Sequence, residues 1–493
     1  MAELFLTGFL SIFTIKIIFL ITIGVAIGII FGAIPGLTAT MAVALCLPMT
    51  FGMEPIAGFS LLIGLYIGGI SGGLISAILL NIPGTPASIA TAFDGYPMAM
   101  RGEAGKALGV GIVFSFIGGF IGILFLILLS PPIASFALRF GTFEYFAVSI
   151  FSLTMIISLS GKSIVKGLIS GLLGISFAMI GSAPIDSAKR FTFGNYDFDA
   201  GLSLLPVLIG LFAISEILRT AEADKDAEEA SLASFHIKGF GFSMKEFLSQ
   251  KWNALRSTMI GLGIGILPGI GGGTANIIAY VAAKNQSKYP EKFGTGVIDG
   301  IVASESANNA SIAGAMIPLM TLGIPGDTIT AMLLGGMMIH GLHPGPLLFV
   351  NQPKIVYGIF AALLVANLMM LVLEFLGMRV FVKLLSIPKH ILLPIILVLC
   401  LVGSYGLNNR MFDVWTMLAF GLIGYTLDKL KFPLPPVILG FILGPIIEIN
   451  LRRGIMISKG SFVPFFTRPI SVVFLLIALF SLIFSIVKSK KSS

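Results

Sequence analysis

Apolar residues fall in long unbroken blocks, not in the ten-residue alternating segments of a membrane barrel, so helices are the predicted way of crossing a bilayer. The blocks cover residues 10–34, 56–80, 107–129, 143–159, 164–180 and 202–218, then 255–267, 297–320, 355–377, 391–402, 414–427, 435–449 and 470–487. Three shorter pieces, 38–47, 275–283 and 328–338, read as half-helices or re-entrant hairpins. The pattern predicts an all-α polytopic membrane protein with about twelve transmembrane helices plus those re-entrant elements. A stretch with charges of both signs and little apolar content, 219–252, reads as an aqueous linker between a first transmembrane half (1–218) and a second half with its C-terminal spans (253–493).

Composition agrees with that pattern. Apolar residues make up 56% of 493 positions and charged residues 11%, with a mean hydropathy of +1.02. A soluble domain could not hide so much apolar surface, so lipid must cover it. The N-terminal block lacks a basic leader and a small-residue cleavage site, and is expected to stay as a first span, with Lys16 reaching the interface. Cys46 and Cys400 lie in apolar runs without ligand partners and read as packing residues, so neither metal site nor cofactor is expected beyond a coupling ion. The net charge of +8 comes largely from short loops and the C-terminus; it fits retention of basic loops in the cytoplasm and gives no sign of nucleic-acid binding.

The loop charges predict more than orientation. In the first half Glu54 follows the first Pro-Gly break, while Arg101 and Lys106 follow the second. In the second half Lys284, Lys288 and Lys292 follow the first break, and the HGLHPGPLL segment after the second has no Lys or Arg. The two halves are therefore expected to lie as inverted-topology repeats. One conflict stands: the basic stretch 451–469 and the C-terminal lysines are separated by a single apparent span.

Four Pro-Gly breaks interrupt the apolar sequence, GAIPGLTAT and LLNIPGTPAS in the first half, GILPGIGGGTAN and TLGIPGDTIT in the second. Proline removes a backbone donor, and in hydrocarbon such a break survives only where protein or a wet cavity satisfies the freed groups. Matched breaks in two halves point to a substrate site near the midplane, where half-helix N-termini attract anions. The expected substrate-binding residues are Thr38, Thr40, Asn81, Pro83, Gly84, Thr85, Pro86, Ser88, Thr274, Asn276, Pro325, Gly326 and Thr328, with Ser306, Asn308 and Asn309 from the polar run ASESANNAS. Glu305 and Asp327 are the expected holders of a coupling cation, because ionisable groups inside a membrane are costly to keep. Against this, small residues and amides also serve simply to pack transmembrane helices. Asp94 and Lys106 read as turn or anchoring residues at a cytoplasmic edge.

The ordered motifs GAIPGLTATMAVALCLP, ILLNIPGTPASIATAFDGYPMAMRGEAGKALG, PGIGGGTANIIAYVAAKNQSKYPEKFGTG, ASESANNASIAGAMIPLMTLGIPGD, HGLHPGPLLF and LGFILGPIIEINLRRG resemble those of the large membrane subunit of the tripartite tricarboxylate transporters, over nearly the whole chain. Ser304, where a proline is usual, and Met100 ahead of Arg101 are small departures. The resemblance implies cation-coupled uptake of a tricarboxylate or other organic carboxylate across a bacterial or archaeal cytoplasmic membrane. Na⁺ is the implied ion, with H⁺ the alternative. It also implies two partners, a small membrane subunit and an extracytoplasmic solute-binding protein.

Other classes fare worse. No GxxxxGK[ST] loop or HExxH motif occurs, and the GISGG at 69–73 lies inside an apolar span without the strand-turn-helix setting of a nucleophile elbow. An enzyme is therefore not expected. A passive channel is the remaining alternative, and flux that collapses with the ion gradients separates it from a transporter.

Overall fold

A computed structural model describes residues 2–159, 163–223, 241–384 and 389–492. The first half contains α1 (Ala2–Ile12), α2 (Ile15–Ala33), α3 (Ala39–Cys46), α4 (Pro55–Leu80), α5 (Ile89–Met100), α6 (Ala104–Ala137), α7 (Thr142–Leu159), α8 (Ile164–Ala178), α9 (Leu204–Ile209) and α10 (Ser215–Ala223). The second contains α11 (Met244–Ser249), α12 (Lys251–Ile266), α13 (Gly271–Gln286), α14 (Ile298–Leu322), α15 (Thr328–Ile339), α16 (Pro346–Asn351) and α17 (Pro353–Leu384), followed by α18 (Lys389–Asn408), α19 (Met411–Lys429), α20 (Leu434–Ile457), α21 (Val463–Thr467) and α22 (Pro469–Ser492). A two-strand hairpin, β1 (Gly181–Ser182) with β2 (Lys189–Arg190), is the one sheet among the described residues. The fold is thus all-α and polytopic; among the described residues seven helices are long and apolar enough to cross a membrane, and five shorter ones are apolar.

Glycine sets the closest helix contacts. A Cβ on Gly24, Gly28 or Gly32 would meet the carbonyl oxygen of Leu61, Leu65 or Gly69 at 2.4, 2.6 and 2.2 Å. The matches climb in step, so α2 and α4 run parallel with their backbones touching. The second half repeats the device: Gly261 and Gly265 of α12 press on the carbonyls of Ala307 and Ser311 of α14 at 2.1 and 2.5 Å. Small residues permit this approach, and in lipid such packing is what holds helices together. The centre of the bundle is α4 and α14; α4 is buried along its whole apolar window.

Parallel neighbours separated by one short helix require that helix to turn back. α2 therefore enters, breaks, and returns as α3; α4 then crosses beside α2. After α4, residues 82–85 fold back along it, bringing Thr85 and Ser88 beside Gly73, and α5 runs outward again with Gly95 against Ile78. The second half follows the same path. α12 breaks and returns as α13, α14 crosses, Gly326 folds back beside Ala315, and α15 leaves.

The ends of these elements fix their relative direction. Asp94, late in α5, grips the loop that starts α14, accepting from the backbone N–H groups of Gly294, Gly296 and Val297 at 2.8 to 3.0 Å. His340, just past α15, meets Thr50 in the loop that starts α4, at 3.2 Å. So α4 ends on the face where α14 begins, and the halves are antiparallel. One face carries 101–106, α11 and 284–297; it is called the linker face here. Arg101 donates there to the carbonyls of Thr295 and Gly296. Lys106 pairs with Glu246 at 2.5 Å, and that bond holds the Glu246 carboxyl down at about 2. The opposite face carries the β-hairpin.

Several readings need adjustment. The block 10–34 is two helices, because Thr14 caps α2 by accepting from Ile17 N at 3.2 Å. α5 was not foreseen as a half-helix, since Asp94, Gly95 and the internal Pro97 disguise it. Asp94 does anchor an edge, but as a fully buried residue. Residues 224–240 of the linker lie outside the described residues. The charge conflict near the C-terminus also resolves: α22 runs beside α7 with Arg468 against Glu144 and Ser485 against Ser158, which puts 451–469 on the hairpin face. Two of its four basic residues are paired there, Arg452 with Asp186 and Glu448, Arg468 with Glu144.

Single cysteines at Glu54 and Gly102, both exposed, in a background lacking Cys46 and Cys400 are expected to react with an impermeant thiol reagent from opposite sides of the membrane. Labelling of both from one side contradicts the antiparallel arrangement.

Candidate functional site

Each break ends in a helix N-terminus. Gly36, at φ +93°, turns the chain out of α2, and Thr38 caps α3 by accepting from Met41 N at 3.1 Å. Asn81 ends α4 in the left-handed region, and Ser88 closes the turn before α5, donating to Thr85 O at 2.9 Å. Gly269 and Gly271, at φ +79° and +64°, carry the chain from α12 into α13. Asp327 caps α15: Thr330 N donates to its Oδ1 at 2.7 Å, while Asp327 N donates to Thr330 Oγ1 at 2.8 Å. Cap side chains here replace helical partners that the breaks remove.

The four breaks also touch one another. Thr40 and Thr328 hydroxyls meet at 3.2 Å, and Gly269 N donates to Gly326 O at 2.7 Å. Asn276 Nδ2 donates to the carbonyls of Pro86, at 3.3 Å, and Ala87. Between them lies a cavity of 470 Å³, lined by Thr38–Thr40 before and in α3, Thr85–Ala87 and Ile89 at α5, Gly269–Thr274 at α13, and Asp327–Ile329 at α15. A π-turn over Gly210–Ile214 turns Leu211 and Phe212 into the same space, with Ser215 and Glu216 after it and Leu434 and Pro435 of α20 opposite.

Positive charge in this cavity comes from the backbone. Among the described residues its lining holds two acids, Asp327 and Glu216, and no Lys or Arg. Four helix N-termini face it, each carrying roughly half a positive charge on N–H groups without helical partners. Threonine hydroxyls and glycine backbone are the remaining polar surface. Such a lining suits a small anion, and it is short enough of side-chain charge that a cation can be bound and released beside it.

Of the residues expected from sequence, Thr38, Thr40, Thr85, Pro86, Thr274, Asp327 and Thr328 line the cavity. The others stand behind or away from it. Gly84 packs on Gly32, where a Cβ would lie 2.0 Å from the carbonyl oxygen, and Gly326 packs on Ala315. Pro83 is half-buried beside Gly84, and Pro325 faces a narrow cleft below the cavity. Asn81 is exposed at the end of α4, and Ser88 is locked in its turn. Asn276 is a strut between α13 and the second break, with its Oδ1 unpartnered. Ser306 bonds Phe114 O at 3.4 Å between α14 and α6. Asn308 is buried with both amide atoms unpartnered, close to where a Cβ on Gly272 would stand.

Glu305 occupies a second polar cluster, sealed in the bundle. Thr91 and Ser115 hydroxyls donate to it, the latter at 2.8 Å, and Asn309 Nδ2 bonds its backbone carbonyl at 3.2 Å. Thr91 also meets Ser304 at 3.0 Å. Thr91 lies two residues past cavity-lining Ile89, so this cluster sits just beneath the cavity along α5. Three residues here escaped the sequence reading. Tyr66 donates to Asp327 Oδ2 at 2.5 Å, and no sequence signal marks it. Glu216 lies inside the apolar block 202–218, near its end. Glu374, fully buried and accepting from Ser71 at 3.1 Å, stands alone in the apolar run LVLEFLG, the same sign that picked out Glu305.

An all-helical membrane bundle with antiparallel halves and a polar cavity at their broken helices is the architecture of a solute carrier. Residues 18–439 match the family model described as the tripartite tricarboxylate transporter TctA family. Two similar proteins come from Agrobacterium vitis. An uncharacterized 52.8 kDa protein in the TAR-I ttuC' 3'region is 36% identical over 95% of this chain and 93% of its own length. An uncharacterized protein in the TAR-II ttuC' 3'region is 38% identical over 46% of this chain and 95% of its own length. No solved structure matches this chain. The chain belongs to the TctA family, and is thus a membrane component of a tripartite transporter.

Gly84→Ala is expected to lower the yield and thermal stability of the folded protein, by about 1–3 kcal/mol for an overpacked contact, because its Cβ meets Gly32 O. Wild-type stability with lost uptake instead would place Gly84 on the substrate path.

Proposed function

We propose that this chain is the permease of a binding-protein-dependent secondary transporter that takes up a tricarboxylate or other organic carboxylate with Na⁺ or, alternatively, H⁺. The observation that carries this reading is the convergence of four helix N-termini on one cavity whose lining has no Lys or Arg. The cavity's 470 Å³ lies within the ~300–1,000 Å³ usual for small-molecule sites. Backbone N–H groups at α3, α5, α13 and α15 receive the carboxylates, with Thr38, Thr40, Thr85, Thr274 and Thr328 hydroxyls completing the shell.

Coupling follows from Asp327. A carboxylate ligand entering beside an ionised Asp327 meets a like charge, worth about 3 kcal/mol at ~5 Å and an effective dielectric of ~20. A cation held by Asp327 removes that repulsion, so each ligand favours the other by the same factor. Tyr66 orients the carboxylate while the cap to Thr330 fixes it at the cavity wall. Glu305 is the second coupling candidate: a carboxyl sealed among Thr91, Ser115 and Asn309 is costly to hold as a bare charge and takes a proton or cation. The partners are a small membrane subunit and an extracytoplasmic binding protein that delivers substrate. The linker face, with Arg101, Lys106, Lys284, Lys288 and Lys292, is the cytoplasmic one, and the membrane is a bacterial or archaeal cytoplasmic membrane.

Asp327→Asn keeps an N-cap residue and removes the charge. Carboxylate binding to the purified variant, read by calorimetry or thermal shift, is expected to lose its dependence on Na⁺ and pH. Unchanged cation dependence takes Asp327 out of the coupling. Glu305→Gln is expected to weaken cation-driven uptake several-fold at an unchanged level of protein in the membrane; wild-type coupling in that variant makes Glu305 a packing residue.

A further inference from the structure

A second cavity, of 570 Å³, lies on the hairpin face, between the 180–202 segment, the outer ends of α14 and α15, and α20. It is aligned with the central cavity. On α15, Thr328 lines the central cavity while Leu334 and Met338 line the outer one; on α20, Pro435 lines the first and Ile442 the second. On α20 the seven-residue spacing keeps both residues on one side, and on α15 the three residues spread over an arc of roughly 120°, so the two helices pass together from one chamber to the other. A cleft of 10 Å³ leaves the central cavity along this α15–α20 seam, past Asp327 and Thr328 to Pro325, Ala331, Ile438 and Leu439. A cleft of that size sits at or below the room a single water needs, ~10–15 Å³, so it does not join the two chambers.

The outer cavity has largely apolar walls, with Tyr145, Ser182 and His343 as polar residues and Arg190 and Glu448 as the charged pair in its lining. Arg190 spends its two terminal nitrogens on Glu448, at 2.9 and 3.1 Å. Its Nε is buried without a partner. A guanidinium held end-on by one carboxylate still offers its Nε edge to a second, in a paired and charge-assisted geometry. Glu448 is in turn shared with Arg452 at 3.2 Å, so the pair does not depend on Arg190 alone for its countercharge.

We propose that this outer cavity is a second carboxylate site, an antechamber in which the Nε edge of Arg190 receives the substrate before the α15–α20 seam parts to admit it to the central cavity. The proposal rests on the reading of the central cavity as a carboxylate site. Leu334 and Met338 contact the body of the substrate. Ala331 and Leu439 close the seam behind it.

The test uses membrane vesicles carrying the full chain with its small membrane subunit and binding proteins, in a background with Cys46→Ala and Cys400→Ala. Uptake is measured across a panel of labelled di-, tri- and aromatic carboxylates. Modification of Met338→Cys by a charged thiol reagent from the hairpin face is expected to cut uptake about tenfold or more, and saturating carboxylate is expected to slow the modification. Arg190→Lys, which keeps the charge but not the edge, is expected to raise the half-saturating concentration about tenfold with the maximal rate largely kept. Full uptake after complete modification of Met338→Cys overturns the antechamber, and so does an unchanged half-saturating concentration in a well-folded Arg190→Lys. If the unmodified protein carries none of the carboxylates, the central reading falls and the antechamber with it; if it carries one and is indifferent to both changes, the antechamber alone falls.

Discussion

A backbone N–H cannot be left bare in hydrocarbon, and this molecule breaks its helices four times in the middle of the bundle. The rest of the structure follows from where those freed groups go. Caps from Thr38, Ser88 and Asp327 satisfy some of them, contacts such as Gly269 N to Gly326 O satisfy others, and what is left faces a common cavity. Broken helices would be a liability anywhere else in a membrane protein. Gathered here, their N-termini face one cavity whose lining, among the described residues, has no lysine or arginine.

Holding four breaks together demands rigid surroundings, which the glycine contacts of α2 with α4 and of α12 with α14 provide. The antiparallel halves are then locked at their ends. Asp94 takes three backbone N–H groups of the loop before α14, while His340 meets Thr50 before α4. These two clamps are counterparts in the repeat, but not equals: one is a buried carboxylate with four donors, counting Tyr280 at 2.9 Å, the other a single contact. The lighter of these two clamps is on the hairpin face, which also holds the outer cavity.

Much of this was legible in the sequence, for physical reasons. Helical class and membrane residence follow from apolar block length, and the Pro-Gly pairs mark the breaks because few other residues can make them. The loop charges gave opposite directions for the two halves, and the contacts of Asp94 and His340 agree. What stayed hidden depends on distance in space. Gly84 and Gly326 looked like substrate contacts because they flank the breaks, yet their backbones face other helices. Asn308 and Ser306 sit in the right polar run but on sides of α14 that turn toward α6 and Gly272. Tyr66 lies in an apolar helix and reaches Asp327 only through the fold. The basic stretch at 452–468 went against the charge rule, and part of the reason is distant in sequence: Asp186 pairs with Arg452 and Glu144 with Arg468.

The central claim is that backbone amides, and not basic side chains, bind the substrate's carboxylates. Solid-state NMR dipolar recoupling between a ¹³C-carboxyl-labelled substrate and ¹⁵N-labelled protein measures this directly. The account predicts close ¹³C–¹⁵N contacts to first-turn amides of α3, α5, α13 and α15, including Thr40, Thr274 and Thr328, with the carboxylates at hydrogen-bond range. Contacts confined to lysine or arginine side-chain nitrogens, with none to those amides, would contradict it.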